Sequence, residues 1–250
     1  MTPVRLVTFN VHHGVGLDGR HDLDRLTRLL AATDAEVLCL QEVDRHFGAR
    51  SEHADQVQAL AGALGLELAF AASLDEPADG PGRRQYGNAL LSRLPLLDAR
   101  VHRLPGTGEP RTALRAVVQT DGGALAVTTT HLANRSRADR AAQATVLAEL
   151  AGSDGVVVGD LNADARAPEL APLRARLTDA WTAAPDRGDQ SRRLSLHRGQ
   201  GCTHPVRRPR VRIDQVWVPP GVTVTAARVL DGSAVSDHHP FQVDLSVTPR

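Results

Sequence analysis

The stretch Val156-Val157-Val158-Gly159-Asp160-Leu161-Asn162 constrains the fold more than any other in the chain. Three consecutive β-branched residues call for a strand buried on both faces. That strand breaks at Gly159, and an acid and an amide follow two positions apart, on one side of the extended chain. Taken alone, this is either an Asx-turn after a strand or a functional site. A carboxylate beside an apolar core is costly unless it is paired or bound to a cation.

Other strand ends repeat the device. Val4–Phe9 stops at Asn10, the apolar run Glu36–Leu40 stops at Gln41-Glu42, and Ala124–Thr130 ends on His131. Asp214 lies near the start of the expected strand Arg212–Val218, and Ser236-Asp237-His238-His239-Pro240 precedes a last strand, Phe241–Val247. Each residue alone has a plain reading as a turn former, a solvated strand end or a satisfied core histidine. Independent strand ends have no shared structural need for acids, amides and imidazoles, so the recurrence points to one site. Carboxylate oxygens suit a hard cation such as Mg²⁺ or Mn²⁺. An adjacent imidazole and carboxylate can move protons or stabilise charge, and such a set suits attack of an oriented water on a phosphoryl group. No Cys-x-x-Cys or His-Glu-x-x-His cluster argues for zinc.

Between these ends the chain reads as an α/β protein. Asp22 can cap a helix with Leu23, Leu26 and Leu30 on one face, and Val57, Leu60, Ala61 and Leu64 mark another. Asp75–Arg84 is rich in Pro, Gly and charge and reads as a surface loop. Strands are expected at Ala89–Ser92 and Leu97–Arg103, with a hairpin around Asp121-Gly122-Gly123. Ser136 and Asp139 resemble a capping box opening a helix to about Leu150. Ala167–Leu177 is a weaker helix, Ala183–Arg210 is irregular and Arg-rich, and Val222–Leu230 is a strand. With no linker or repeat, a single domain over residues 1–250 is expected.

The composition narrows the function. The formal net charge is +0, which argues against a strongly basic nucleic-acid binder. All 29 basic residues are Arg. Aromatic residues form 3% of the chain, so stacking platforms for single strands are few. Arg83-Arg84, Arg192-Arg193 and Arg207-Arg208-Pro209-Arg210 read first as solvated loop charge and second as a rim recruiting an anionic substrate. Cys39 and Cys202 make no disulfide framework, and Cys39 reads as core. No apolar run approaches the length of a membrane span, and Met1-Thr2-Pro3 lacks a signal-peptide core. The expectation is a cytoplasmic protein without stable membrane insertion or an obligate protein partner.

Thr8-Phe9-Asn10, Leu40-Gln41-Glu42, Gly87-Asn88-Ala89-Leu90-Leu91-Ser92, Thr129-Thr130-His131-Leu132, Gly159-Asp160-Leu161-Asn162, Arg212-Ile213-Asp214 and Ser236-Asp237-His238 stand in the order found in the endonuclease/exonuclease/phosphatase family, which the chain resembles over nearly its whole length. The resemblance implies a four-layer α/β/β/α sandwich of two packed mixed sheets, with the site at one end. It implies Glu42 as principal metal ligand with Asn10 and Asp237 nearby, and one or two Mg²⁺ or Mn²⁺ ions. Asp160 resembles the residue that readies water, supported by Asn162. His238 resembles the imidazole on the scissile phosphate, oriented by Asp214, and His131 a general acid or phosphate ligand. Asn88 and Arg115 match substrate-side positions. Many nucleases of the family carry an acid where this chain has His12, followed by His13-Gly14, as in a bacterial His-His-Gly subgroup. His12 is therefore expected as a second-metal ligand or, with His13, a substrate contact. The expected activity is metal-dependent hydrolysis of a small or lipid-like phosphodiester or phosphomonoester. The alternatives are a DNA or RNA nuclease, or a non-catalytic protein binding a phosphorylated ligand.

Overall fold

The computed structural model describes residues 3–78, 82–189 and 201–247. Among these residues thirteen strands form two sheets: β1 (Val4–Asn10), β2 (Val37–Arg45), β3 (Glu67–Pro77), β4 (Arg83–Ser92), β5 (Leu96–Leu104), β6 (Arg111–Thr120), β7 (Gly123–His131), β8 (Gly155–Asp160), β9 (Thr178–Asp179), β10 (Asp186–Asp189), β11 (Asp214–Val218), β12 (Val222–Val229) and β13 (Phe241–Val247). One sheet runs β10-β12-β13-β1-β2-β4-β3 and the other β5-β6-β7-β8-β11-β9. Both are mixed. β1 lies parallel to β2 and antiparallel to β13, while β8 lies parallel to β7 and antiparallel to β11.

The strands alternate between two buried surfaces, which explains their near-continuous apolar character. Leu6, Cys39, Leu90, Leu114, Val127, Val156, Val158 and Val243 fill the space between the sheets. Val7, Phe9, Leu38 and Leu40 point the other way, onto α1 (Leu23–Ala32) and α2 (Gln56–Leu64). On the opposite side Val157 and Trp217 meet Leu147 of α3 (Arg137–Ala151) and Leu173 of α4 (Ala171–Arg174). The order is helix, sheet, sheet, helix. A short α5 (Ala180–Ala183) sets Trp181 against Phe241.

Local signals act as the sequence suggests. Asp22 accepts the Arg25 N–H at 2.8 Å, Asp55 caps α2, and Ser136 accepts the Asp139 N–H at 3.1 Å. Two regions differ. Asp75–Arg84 is largely a hairpin, with β3 and β4 paired out to Pro77 and Arg83, because Arg83–Asp75 and Arg84–Glu76 pairs hold the charged strand ends together. The helix expected over Ala167–Leu177 is a 3-10 turn, Pro168–Leu170, and the single turn of α4. Arg192-Arg193 lies outside the described residues. Among the described residues, no helix is long and apolar enough to cross a membrane.

Candidate active site

The site forms where strand ends of the two sheets face each other. Asn10, ending β1, donates through Nδ2 to Glu42 Oε1 (3.0 Å) and to Asp160 Oδ2 (3.1 Å). One amide therefore ties an acid of the first sheet to an acid of the second. Its Oδ1 accepts the His12 N–H at 3.0 Å, so Asn10 acts in this structure as a bridge.

Glu42 reaches the site through a β-bulge. Leu40 pairs with Ala89 and Val43 with Gly87, so Gln41 and Glu42 share the single residue Asn88 across the ladder. Glu42 takes φ 59°, a left-handed conformation that turns its side chain out of the ladder. The buried Gln41 donates to Thr129 Oγ1 (3.1 Å) and accepts from Thr8 Oγ1 (3.2 Å), joining the sheets beneath the acids. Asn88 donates to the Thr112 carbonyl at 3.0 Å and leaves its buried Oδ1 unpaired.

In the second sheet Asp160 pairs with His131 on β7 and with Asp214 on β11, so three adjacent strands bring these residues to one level. Gly159 just before takes φ 144°, and a Cβ there would lie 1.9 Å from the Thr130 carbonyl oxygen. Only glycine lets β8 approach β7 this closely ahead of the acid. The Asn162 N–H donates to Asp160 Oδ1 (2.9 Å), and its side-chain amide donates to His131 Nε2 (2.9 Å) and the Leu132 carbonyl (3.1 Å). The loop carrying Asp237 and His238 is pinned by Ser236 Oγ, which donates to the Asn10 carbonyl (2.7 Å) and accepts the His238 N–H (3.1 Å). His238 Nδ1 lies 2.8 Å from Asp214 Oδ2, and its Nε2 lies 3.7 Å from Asp160 Oδ2.

Burial and charge assign different states to these groups. For His238, burial opposes the charged form, but the Asp214 carboxylate outweighs it and lifts the pKa to about 10, an imidazolium at neutral pH. For His131, burial and then the positive Arg111 push the pKa down to about 3. His131 is thus a neutral ring accepting a hydrogen bond from Asn162. Burial raises Asp160 to about 7 against the pull of His238. For Glu42, burial raises the pKa, but the His13 ring 3.8 Å away, the neighbouring histidines and the Asn10 amide more than compensate, holding it well below the usual carboxylate range.

Two triads place ligand atoms within 4.8 Å of one another: Asp160, Asp214 and His238, and His204, Asp237 and His238. Asp214 Oδ1 is buried without a partner. A gathering of carboxylates with an unsatisfied buried oxygen fits a hard divalent cation. Glu42 stands outside both triads, joined to Asp160 through Asn10. His12 belongs to neither triad, and its Nδ1 is held by the Val15 carbonyl at 3.0 Å. His13 faces Glu42, with its own carbonyl held by Gln56 at 2.7 Å.

Arg115 is a correction. It pairs with Thr128, three residues before His131, while Leu114 and Ala116 on either side fill the inter-sheet core. Alternation puts Arg115 on the outer face, as it does Arg111, and the register leaves Arg115 three residues short of the His131 end of the ladder. The arginine at the site end of the same strand is Arg111, which the sequence reading missed, as it missed Tyr86 and His204. Tyr86, the only tyrosine, is buried near Glu42, and its hydroxyl pKa is raised by burial and by that carboxylate. His204 stacks on His238 with ring centres 4.5 Å apart.

A two-sheet sandwich whose facing strand ends gather acids, a bridging amide and a carboxylate-held imidazolium is the framework of a phosphoester hydrolase. The family model described as the Endonuclease/Exonuclease/phosphatase family matches residues 7–238, and the chain belongs to that family, whose enzymes are phosphoesterases and nucleases and generally depend on a divalent metal. Solved structures agree in fold. An endonuclease/exonuclease/phosphatase from Beutenbergia cavernae is 24% identical with a TM-score of 0.79, the match covering 99% of this chain and 72% of that one. A mannosyl-6-phosphatase from Bacteroides thetaiotaomicron is 16% identical with a TM-score of 0.75, covering 97% and 99%. The human Nocturnin catalytic domain with bound sulfate is 23% identical with a TM-score of 0.69, covering 98% and 95%. No curated protein matches the chain in sequence.

Proposed function

We propose that the protein is a divalent-metal-dependent phosphoesterase, using Mg²⁺ or Mn²⁺, that hydrolyses a small or lipid-like phosphodiester or phosphomonoester. The observation that carries this reading is the position of Asp160 between the Asn10 bridge and the Asp214–His238 pair. Both its oxygens are oriented, Oδ1 by the Asn162 N–H and Oδ2 by Asn10. Its raised pKa suits a base working near neutrality. Asp160 takes the proton of the attacking water, and Asn162 fixes the carboxylate. His238, charged and held by Asp214, donates to a phosphoryl oxygen as negative charge builds there. His131, neutral and anchored by Asn162, lines the opposite side.

Glu42 and Asp237, with Asn10 close by, would hold the cation, which when bound polarises the phosphoryl oxygen as a Lewis acid. The balanced net charge and scarce aromatics favour a small substrate over a long nucleic acid. The mannosyl-6-phosphatase neighbour indicates that this fold accommodates phosphomonoester hydrolysis. We place the protein in the cytoplasm without an obligate protein partner. The test is a screen of phosphomonoesters, phosphodiesters, phospholipids and nucleic acids with each metal. Turnover of a small ester is expected, abolished by EDTA and lowered at least about 10²-fold in Asp160→Asn. Full turnover in EDTA or in a folded Asp160→Asn protein refutes the assignment.

A further inference from the structure

Arg111 is an incompletely satisfied charge at the end of β6. Its side chain is only 4% exposed, yet its single ion pair is with Glu109, whose side chain is 45% exposed, at 3.0 Å. Its Nε is buried with no partner. A buried guanidinium with five donors and one solvent-exposed counterion is a costly arrangement for folding alone. It is also a receptor for a bidentate anion, since an exposed ion pair contributes little and Glu109 loses little by turning into water.

The surroundings are open. Arg111 lines a cleft of ≈ 320 Å³ with Glu109, Asn134, Arg135, Ser136 and Asp139. Asn134 and Arg135 are exposed and follow directly on the His131 strand end, and Ser136 caps the first turn of α3. The carboxylate of Asp139 is turned away to the Thr107 N–H (3.1 Å) and hydroxyl (3.3 Å). Arg111 lies two residues before Ala113, which pairs with Thr130 beside His131. β6 stands two strands from β8, about 10 Å.

We propose that this cleft is a second anion subsite, in which Arg111 and Arg135 hold a phosphate group that the substrate carries a few bonds beyond its scissile phosphoester. Glu109 occupies Arg111 in the free protein and is displaced when the second phosphate enters. The inference rests on the phosphoesterase reading and narrows it to substrates with two phosphate groups. After burial itself, Arg111 is the next influence that lowers the pKa of the His131 ring.

The test compares butane-1,4-diyl bisphosphate with butyl phosphate by titration calorimetry on the Mg²⁺-loaded protein. The native protein is expected to bind the bisphosphate at least tenfold more tightly. In Arg111→Gln that preference falls below twofold, while affinity for butyl phosphate stays within threefold. Equal affinities in the native protein, no binding of the bisphosphate, a preference that survives Arg111→Gln, or a parallel loss for both ligands overturns the subsite. A parallel loss would mean that Arg111 reads the scissile group instead. If Arg111→Gln does not fold, Glu109→Gln decides: bisphosphate affinity rises about threefold, and an unchanged value overturns the proposal. Phosphoester hydrolysis without a bisphosphate preference removes this subsite alone, whereas absence of hydrolysis removes the reading on which it rests.

Discussion

Replacing Asp214 by Asn separates the charge on His238 from its position. Asp214 is fully buried and spends one oxygen on His238 Nδ1 at 2.8 Å. An Asn amide oxygen preserves that contact and removes the negative charge. The folded pKa of His238 stands at about 10 because Asp214 overcomes burial. Without that charge, burial lowers the ring against only the Asp160 and Asp237 carboxylates, so its pKa falls from about 10 towards its ordinary value of about 6.5. A complete fall is about three and a half pKa units at about 1.4 kcal/mol each, so at most roughly 5 kcal/mol of preference for the imidazolium is at stake. A raised folded pKa contributes stability that is fully present below the unfolded value and lost as pH rises through the folded one. The native protein therefore keeps this contribution below pH 6.5 and loses it towards pH 10, and Asp214→Asn lacks it throughout. At pH 8 a ring titrating near 6.5 is charged in only about one molecule in thirty, which alone lowers turnover about thirtyfold. Histidine NMR titration of the metal-free proteins reads the pKa directly, and the alkaline limb of the pH–rate profile reads its consequence. A His238 that still titrates above pH 9 in folded Asp214→Asn refutes the claim that Asp214 sets its charge.

The remaining expectations concern other parts of the site. Because burial raises Asp160 to about 7, the metal-free protein loses stability as pH rises from about 4 to 7, and metal binding near pH 6 releases a proton; calorimetry in two buffers of different ionisation enthalpy measures it, and zero release contradicts the shift. His12→Ala should leave metal stoichiometry unchanged by calorimetry, since the ring is tied to Val15 and joins no ligand triad, and loss of an ion would restore it as a ligand. Gly159→Ala forces a Cβ to 1.9 Å from the Thr130 carbonyl and should cost at least about 3 kcal/mol in denaturant unfolding; a cost below about 1 kcal/mol would mean that β8 can shift.

What was legible in the sequence was the kind of residue at each strand end. Period-2 alternation and β-branched runs announced β1, β2, β7, β8 and β11, and Asn10, His131, Asp160 and Asp214 converge from strand ends, while Glu42 joins them from a bulge inside β2, which runs on to Arg45 instead of stopping at Gln41-Glu42. Less legible was anything set by pairing. The charged, Pro-rich stretch at Asp75–Arg84 was read as a loop because its strand character depends on cross-strand Arg–acid pairs that local composition does not reveal. Arg111 and Arg115 lie four apart in β6, and no pattern within that strand says which end meets the site. The register with β7 decides it, setting Arg115 opposite Thr128 on the outer face and Arg111 past the His131 level. His131 and His238 are both buried imidazoles beside Asp160, at 3.5 and 3.7 Å. They nevertheless take opposite charge states, because a carboxylate lies behind His238 and an arginine acts on His131. The division of labour in the site is therefore a property of second neighbours. Their identity depends on which strands the fold makes adjacent, so the residue types were readable in one dimension and their charges only in three.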